Sequence, residues 1–211
     1  MVETARRREI EDVASSLFRE RGYAGTSVRD IARAMDIQGA SLYAHVASKQ
    51  DVLRTIVERM ASRFEHAADE AARSIDGGDT ATASARLAAL VRAHVQVVTD
   101  DLERATVFVH EWRSLDPDAR TRMAKRRDGY ERRFRTVIAA GVTDGTFAAV
   151  DPSATAAFVL TALNGLVAWF RPDGRLSPTD VADLYAHLAV RAVTDRDVAD
   201  TTASPAAGPT A

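Results

Sequence analysis

The sequence predicts an all-α fold of nine helices, and three observations carry that reading. Apolar residues recur at three- and four-residue spacing along most of the chain. No stretch alternates apolar with polar residues as a half-buried strand would, and helix caps and stops fall between the periodic stretches.

In the first helix Ile10, Val13, Ala14, Leu17 and Phe18 form one stripe, and Gly22 stands where glycine ends a helix. Ser27, with Asp30 three residues on, resembles a capping box that opens a second helix through Met35. A third, short helix is expected from about Gly39 to Ala44. The fourth is long, Lys49 to Arg73, with Leu53, Ile56, Met60, Phe64 and Ala71 along one side. Gly77 and Gly78 break the chain, and helices are expected again from about Thr82 to Thr99 and from Leu102 to Ser114. The turn at 115–118 precedes a seventh helix reaching about Ala140. After a loop at 145–147, Asp151 offers an N-cap and Pro152 the first position of an eighth helix, apolar almost all round to Phe170. Residues 171–175 break it, and Ser177, Pro178 and Asp180 open the ninth, which runs to about Val193. Beyond Thr194 the one large apolar residue is Val198, so 194–211 is expected to be a disordered tail.

At 211 residues, 46% apolar and 27% charged, the chain can bury a sizeable core in one or two domains. It has no cysteine, which removes disulfides, thiol catalysis and thiolate metal sites. The histidines, His45, His66, His94, His110 and His187, lack metal-ligand spacing. Neither paired carboxylates nor a glycine-rich phosphate loop stands out, so no catalytic residue, metal or cofactor is expected and the chain is not read as an enzyme. With 28 basic against 30 acidic residues, net −2, it is no general polyanion binder, though one small surface can still touch nucleic acid. No run of about eighteen apolar residues predicts a membrane span. The charged start MVETARRREIEDV lacks the apolar core of a signal peptide, so a cytoplasmic protein is expected.

The stretch IQGASLYAHVASKQ, Ile37 to Gln50, sets three small residues at the start of a short helix. By spacing alone, 27–46 is either a pair of ordinary short helices, with Ser27 merely capping, or a helix-turn-helix around Met35–Asp36–Ile37. In the second reading the later helix enters the DNA major groove, about 12 Å wide, with its first residues toward base edges. Gly39, Ala40 and Ser41 then let the backbone approach, Gln38 can pair with adenine, and Ser41 can donate or accept. Tyr43 can lie against sugar and phosphate. Lys49, at the positive N-terminal end of the fourth helix, suits a phosphate, as do Thr26 and Ser27 at the second. Arg29 and His45 complete the candidate DNA-binding set. Ile31, Met35, Ile37 and Leu42 are the packing that would hold the two helices at a fixed angle.

From Arg7 to Phe64 the chain resembles the TetR family of one-component transcriptional regulators. The resemblance runs through REIEDVASSLFRERGYAGTSVRDIARAMDIQGASLYAHVASKQDVL, in the Gly-Tyr…Gly-Thr-Ser segment, the Ile-Ala pair, Leu-Tyr-x-His and Ser-Lys-x-x-x-Leu. It departs where members usually carry Gly-Val-Ser or Gly-Val-Thr and this chain has Asp36-Ile37-Gln38, and where most have an aromatic and this chain has Val46. The resemblance implies a DNA-binding domain at 1–48, a ligand-binding and dimerisation domain at 49–193, and a homodimer through helices 152–170 and 178–193 on a palindromic double-stranded DNA operator. A helix facing both its own domain and a partner would explain the all-round apolar character of Ala154 to Phe170.

In the second half, FVHEWR from Phe108, RRDGYERRF from Arg126 and WFRPDGRLSP from Trp169 resemble TetR-family repressors of fatty-acid, steroid and aromatic-acid degradation that respond to acyl-CoA thioesters. That resemblance implies a small lipophilic effector, with an acyl-CoA as the leading class. The alternatives are a lipophilic drug or aromatic compound, or no small-molecule effector. A CoA ester needs an apolar slot and arginines for its phosphates and adenine. Trp112, Tyr130, Phe134 and Trp169 can wall the slot, and Arg113, Arg127 and Arg171 can hold the polar end. His94 and Asn164 interrupt apolar stripes and join the candidate ligand set. Arg127 is expected to meet an acid, solvent or an anionic ligand, since a buried arginine without a partner is costly. Most of the basic run 120–135 is expected to be a solvated face.

Overall fold

The computed structural model describes residues 5–76 and 82–195. The expected break at Gly77 and Gly78, and the expected tail beyond residue 195, lie outside the described residues. The helices are α1 (Ala5–Arg21), α2 (Val28–Ala34), α3 (Gly39–Tyr43), α4 (Lys49–Asp76), α5 (Ala83–Asp100), α6 (Leu102–Glu111), α7 (Pro117–Thr143), α8 (Pro152–Asn164), α9 (Leu166–Trp169) and α10 (Pro178–Thr194). Only Gly165 separates α8 from α9, and its φ of −63° and ψ of −17° are helical, so the two form one interrupted helix and the expected nine remain. No strand occurs among the described residues.

Packing divides the chain into two compact units that interleave in sequence. The described residues of the first lie within Met1–Glu65, Val97–Asp128 and Val167–Phe170, and those of the second within His66–Gln96, Gly129–Leu166 and Arg171–Ala211. The unit boundaries fall inside α4, α5 and α7, whereas the functional boundary expected at residue 48 falls in the loop between α3 and α4.

In the first unit α1 buries Ile10, Ala14, Leu17 and Phe18, the stripe read from the sequence. It ends at Gly22, whose φ of +73° a residue with a side chain adopts only with strain. The Ser27–Asp30 capping box opens α2 as expected. At its far end Ile37 N–H donates to Ala32 O and Asp36 N–H to Arg33 O, with Asp36 at φ +53°. That is a Schellman ending, which turns the chain sharply into α3. Arg7 ties α1 to α4 by donating to Asp51 and Thr55, and to the segment after α3 through His45 O. Glu11 is buried on the same α1 face, 3.5 Å from Arg7 Nε and 3.4 Å from Arg59 Nε. Burial pushes its carboxyl above the usual range, and the neighbouring Arg7 and Arg104 charges only partly offset this.

In the second unit Leu87, Val91, Val95, Phe134, Ile138, Ala156, Val159, Leu163, Val181 and Val193 are core. Gly141 admits no side chain, because a Cβ there would sit 2.2 Å from the Phe147 ring. Ala148 N–H donates to Val193 O at 2.8 Å, and Arg92 pairs with Asp183 at 2.7 Å, so both the loop and α5 are fastened to α10.

Pro152–Trp169 is long and apolar enough to cross a membrane by length and composition alone, a test that a core or interface helix of a globular protein also passes. Its exposed side carries Ala154, Ala157, Phe158, Thr161, Ala162 and Gly165, next in the same unit to exposed Leu184 and Leu188 of α10.

Candidate nucleic-acid interface and effector residues

The α2–turn–α3 unit is built around one buried residue per turn: Ile31 and Leu42 are fully buried, Ala32 nearly so, and Val46 fills the place behind them at 3% exposure. Around Leu42 the remaining side chains of α3 face outward. Gln38, Ala40 and Ser41 are exposed, and Tyr43 is 56% exposed. Gln38 stands at the N-cap position without making a cap hydrogen bond, which leaves its amide able to engage a base edge. A Cβ built on Gly39 meets nothing within 4 Å, so internal packing does not demand glycine there. Arg29 and Arg33, both exposed, line a shallow hollow with Asp36, Gln38 and Gly39. Small residues, an uncommitted amide, a phenol and two arginines are therefore exposed on α2, α3 and the turn between them. That set can reach groove atoms and phosphates without unmaking the core.

Three candidate DNA residues turn out to serve the scaffold. Thr26 is 2% exposed, its Oγ1 lies 3.0 Å from Gly22 O and 3.3 Å from Leu17 O, and its N–H donates to Tyr23 O. Its side chain closes the α1–α2 turn. Ser27 is exposed, but its hydroxyl is committed to Asp30, whose carboxyl is held below the usual range by that hydroxyl and by the Ser27 N–H. Lys49 is half-buried; its ammonium donates to Tyr23 O at 2.8 Å and Thr26 O at 2.6 Å, and it lies 4.0 Å from the centre of the Tyr23 ring. Two of its three N–H donors are thus used inside the domain. His45 is half-buried, and its carbonyl receives Arg7.

The candidate effector residues fall into groups within each unit. In the first unit the Arg127 guanidinium lies 5.0 Å from the Trp112 ring and 5.2 Å from Phe108, and Arg113 lies 4.6 Å from Trp112. The Trp112 Nε1–H is buried without a hydrogen-bond partner. Trp169 is 43% exposed and meets Phe170 edge-on. In the second unit His94, 3% exposed, places Nδ1 3.2 Å from the Tyr130 hydroxyl, and Tyr130 in turn packs against fully buried Phe134. Burial pushes the Tyr130 phenol well above its ordinary value, so it stays protonated. Asn164 ends α8 half-buried, and Arg171 is exposed. Of the basic run, Arg120, Arg122, Lys125 and Arg132 are exposed as expected, whereas Arg126 grips Glu65 at 2.6 Å and Arg133 pairs with Asp69.

Gln50 and Glu111 drew no attention in the sequence, yet they join the reading domain to the residues that hold Trp112. Glu111 accepts from Tyr23 N–H at 3.0 Å, and Gln50 donates to Ser114 O at 2.7 Å. Polar side chains at helix ends were the only local signal.

Known proteins share this arrangement. Residues 10–56 match the model of bacterial regulatory proteins of the tetR family, and residues 80–193 match that of the tetracyclin repressor-like C-terminal domain. The chain is 28% identical over 193 residues to the HTH-type transcriptional repressor KstR2 of Rhodococcus jostii, covering 89% of this chain and 90% of that one. The TetR-family regulator PfmR of Thermus thermophilus superposes with a TM-score of 0.75 at 31% identity, covering 86% of this chain and 97% of PfmR. AibR, solved in complex with isovaleryl coenzyme A and operator DNA, superposes with a TM-score of 0.74 at 28% identity, covering 87% and 97%. A helix-turn-helix with an outward edge, together with a match over residues 80–193 to the C-terminal domain of such regulators, places this chain in the TetR family of DNA-binding transcriptional regulators.

Proposed function

We propose that the protein is a homodimeric repressor that binds a palindromic operator in the cytoplasm and releases it on binding a small lipophilic effector, with an acyl-CoA thioester as the leading class. The observation that carries the DNA half is the α3 edge, where Gln38, Ala40, Ser41 and Tyr43 are exposed around a fully buried Leu42. Gln38 and Ser41 take the base-reading role, and Tyr43, Arg29 and the remaining Lys49 N–H take the phosphates. Exposed Phe158, Leu184 and Leu188, on one unit with a run of exposed alanines, favour a second copy of the chain over solvent. A dimer so joined would set two reading helices about one DNA turn, roughly 34–36 Å, apart.

The effector class rests on chemistry and on relatives. Guanidinium groups stacked on Trp112 and Phe108 suit adenine and phosphate, and the His94–Tyr130–Phe134 group pairs one polar contact with apolar walls. AibR was solved with an acyl-CoA, and KstR2 repressors are among the relatives matched over most of their length. A second reading, a different lipophilic or aromatic effector, draws on the same apolar walls.

The test has two arms. DNA selected by the protein from a random duplex library should converge on a palindrome; a sequence-independent pool sinks the operator reading. In a thermal-shift series, isovaleryl coenzyme A should raise the melting temperature more than coenzyme A or benzoate does. If benzoate alone shifts it, the second reading wins.

A further inference from the structure

A three-way polar clamp lies within the first unit. Glu111, the last residue of α6, accepts the Tyr23 N–H at 3.0 Å and the Ser114 hydroxyl at 3.1 Å. Gln50, the second residue of α4, uses both ends of its amide on one turn: Nε2 donates to Ser114 O at 2.7 Å, and Oε1 accepts from Asp116 N–H at 3.2 Å. Next to it in sequence, Lys49 holds Tyr23 O and Thr26 O. The 111–116 segment is thereby fastened to the α1–α2 turn and to the first turn of α4, which directly follows the reading helix.

What the clamp grips is suited to move. At the end of α6, residues Trp112–Ser114 form a 3-10 turn, whose hydrogen bonds are poorer than those of an α-helix. Trp112 carries a buried Nε1–H with no hydrogen-bond partner, under two guanidinium groups. A buried donor without an acceptor is costly, so any group offering one shifts the balance of this turn.

We propose that Gln50 and Glu111 are positioning residues of the DNA response: they transmit the conformation of the Trp112–Ser114 turn to the helix-turn-helix and so set operator affinity without touching DNA. The proposal rests on the DNA-binding reading above. A change at Trp112 pulls on Tyr23 through Glu111 and on the start of α4 through Gln50, and both attachments bear on the aim of α3.

The experiment uses the full chain and the duplex it selects from a random library. Gln50→Ala and Glu111→Ala should each change operator affinity by roughly tenfold. The double variant should change it further than either single one, because the two residues hold the segment through separate attachments. The salt dependence should keep its wild-type slope, since no phosphate contact is lost. Glu111→Gln should restore binding, because a carboxamide oxygen still accepts the Tyr23 N–H. Variants that melt earlier but bind within twofold of wild type would overturn the proposal and leave the clamp a stabilising feature. If Glu111→Ala does not fold, amide exchange in the wild type decides. The Tyr23 and Asp116 N–H groups should then respond together to the selected duplex, and independent responses overturn the idea. A wild-type chain that selects no duplex defeats the DNA-binding reading itself, and the clamp proposal falls with it.

Discussion

The Lys49 ammonium lies 2.6 Å from the carbonyl oxygen of Thr26, at the point where the α1–α2 turn meets the start of α4. A cation at a helix N-terminus suits a phosphate by its charge, yet here its strongest contacts are two backbone carbonyls and an aromatic face. Lys49 therefore first fastens the α1–α2 turn to the start of α4.

Lys49→Ala should accordingly destabilise the chain by about 2 kcal/mol, because it strips two carbonyls of a charged donor. Urea unfolding measures this, and the salt dependence of operator binding divides the roles. A slope lowered by about one unit would show the remaining N–H on a phosphate as well, and an unchanged slope would leave Lys49 a scaffold residue alone.

Asp36→Gly should stabilise the protein by about 1 kcal/mol, since Asp36 holds φ +53° at the turn into α3 and glycine adopts that conformation without strain. Family members usually have glycine there. The substitution also removes a negative charge beside Arg29 and Arg33, so DNA affinity should rise together with the unfolding midpoint. A lower midpoint would mean that the carboxylate makes a compensating contact.

Glu11→Gln should stabilise the chain at neutral pH. Burial raises the Glu11 carboxyl above its usual 4.5, so the folded chain holds that proton more tightly than the unfolded one. The group's contribution to stability is then most favourable below 4.5 and is lost as pH rises through the folded value. Thermal unfolding of variant and wild type should converge at low pH and separate toward neutrality. The opposite trend would show that the Arg7 and Arg59 pairs outweigh burial.

Leu184→Asp or Leu188→Asp should weaken self-association by roughly 100-fold while the folded monomer keeps its helicity. The two side chains are 42% and 53% exposed, so little intrachain packing is lost. Sedimentation and circular dichroism check the two halves. A variant that stays dimeric puts the interface elsewhere.

Arg127→Ala should lower the affinity for isovaleryl coenzyme A roughly tenfold and leave operator affinity without it nearly unchanged. Calorimetry and fluorescence anisotropy on the same preparation decide. If operator affinity falls while ligand binding holds, the stack on Trp112 and Phe108 is structural.

The helices were legible because each announces itself within a dozen residues: the α1 stripe, the Ser27 and Ser177 capping boxes, and the Asp151–Pro152 start all stand where periodicity puts them. The 3-10 turn after Glu111 and the interruption at Gly165 were not, since both are one-turn departures inside continuous helical patterns. The outward edge of α3 was readable for the same local reason. The inward commitments of Thr26 and Lys49 were hidden, because a hydroxyl or ammonium suited to a phosphate equally suits a carbonyl. Gln50 and Glu111 find partners 64 and 88 residues away, beyond the reach of any local pattern.

Within α3 the folding constraint falls on Leu42, fully buried, while its neighbours Gln38, Ala40, Ser41 and Tyr43 are exposed and Gly39 has open space around it. With this edge reading the operator as proposed, gene duplicates can diverge in the DNA they recognise through single steps that leave the fold intact. A library randomised at 38–41 and 43 with Leu42 retained should consist mostly of folded members, each a starting point for a new regulatory circuit.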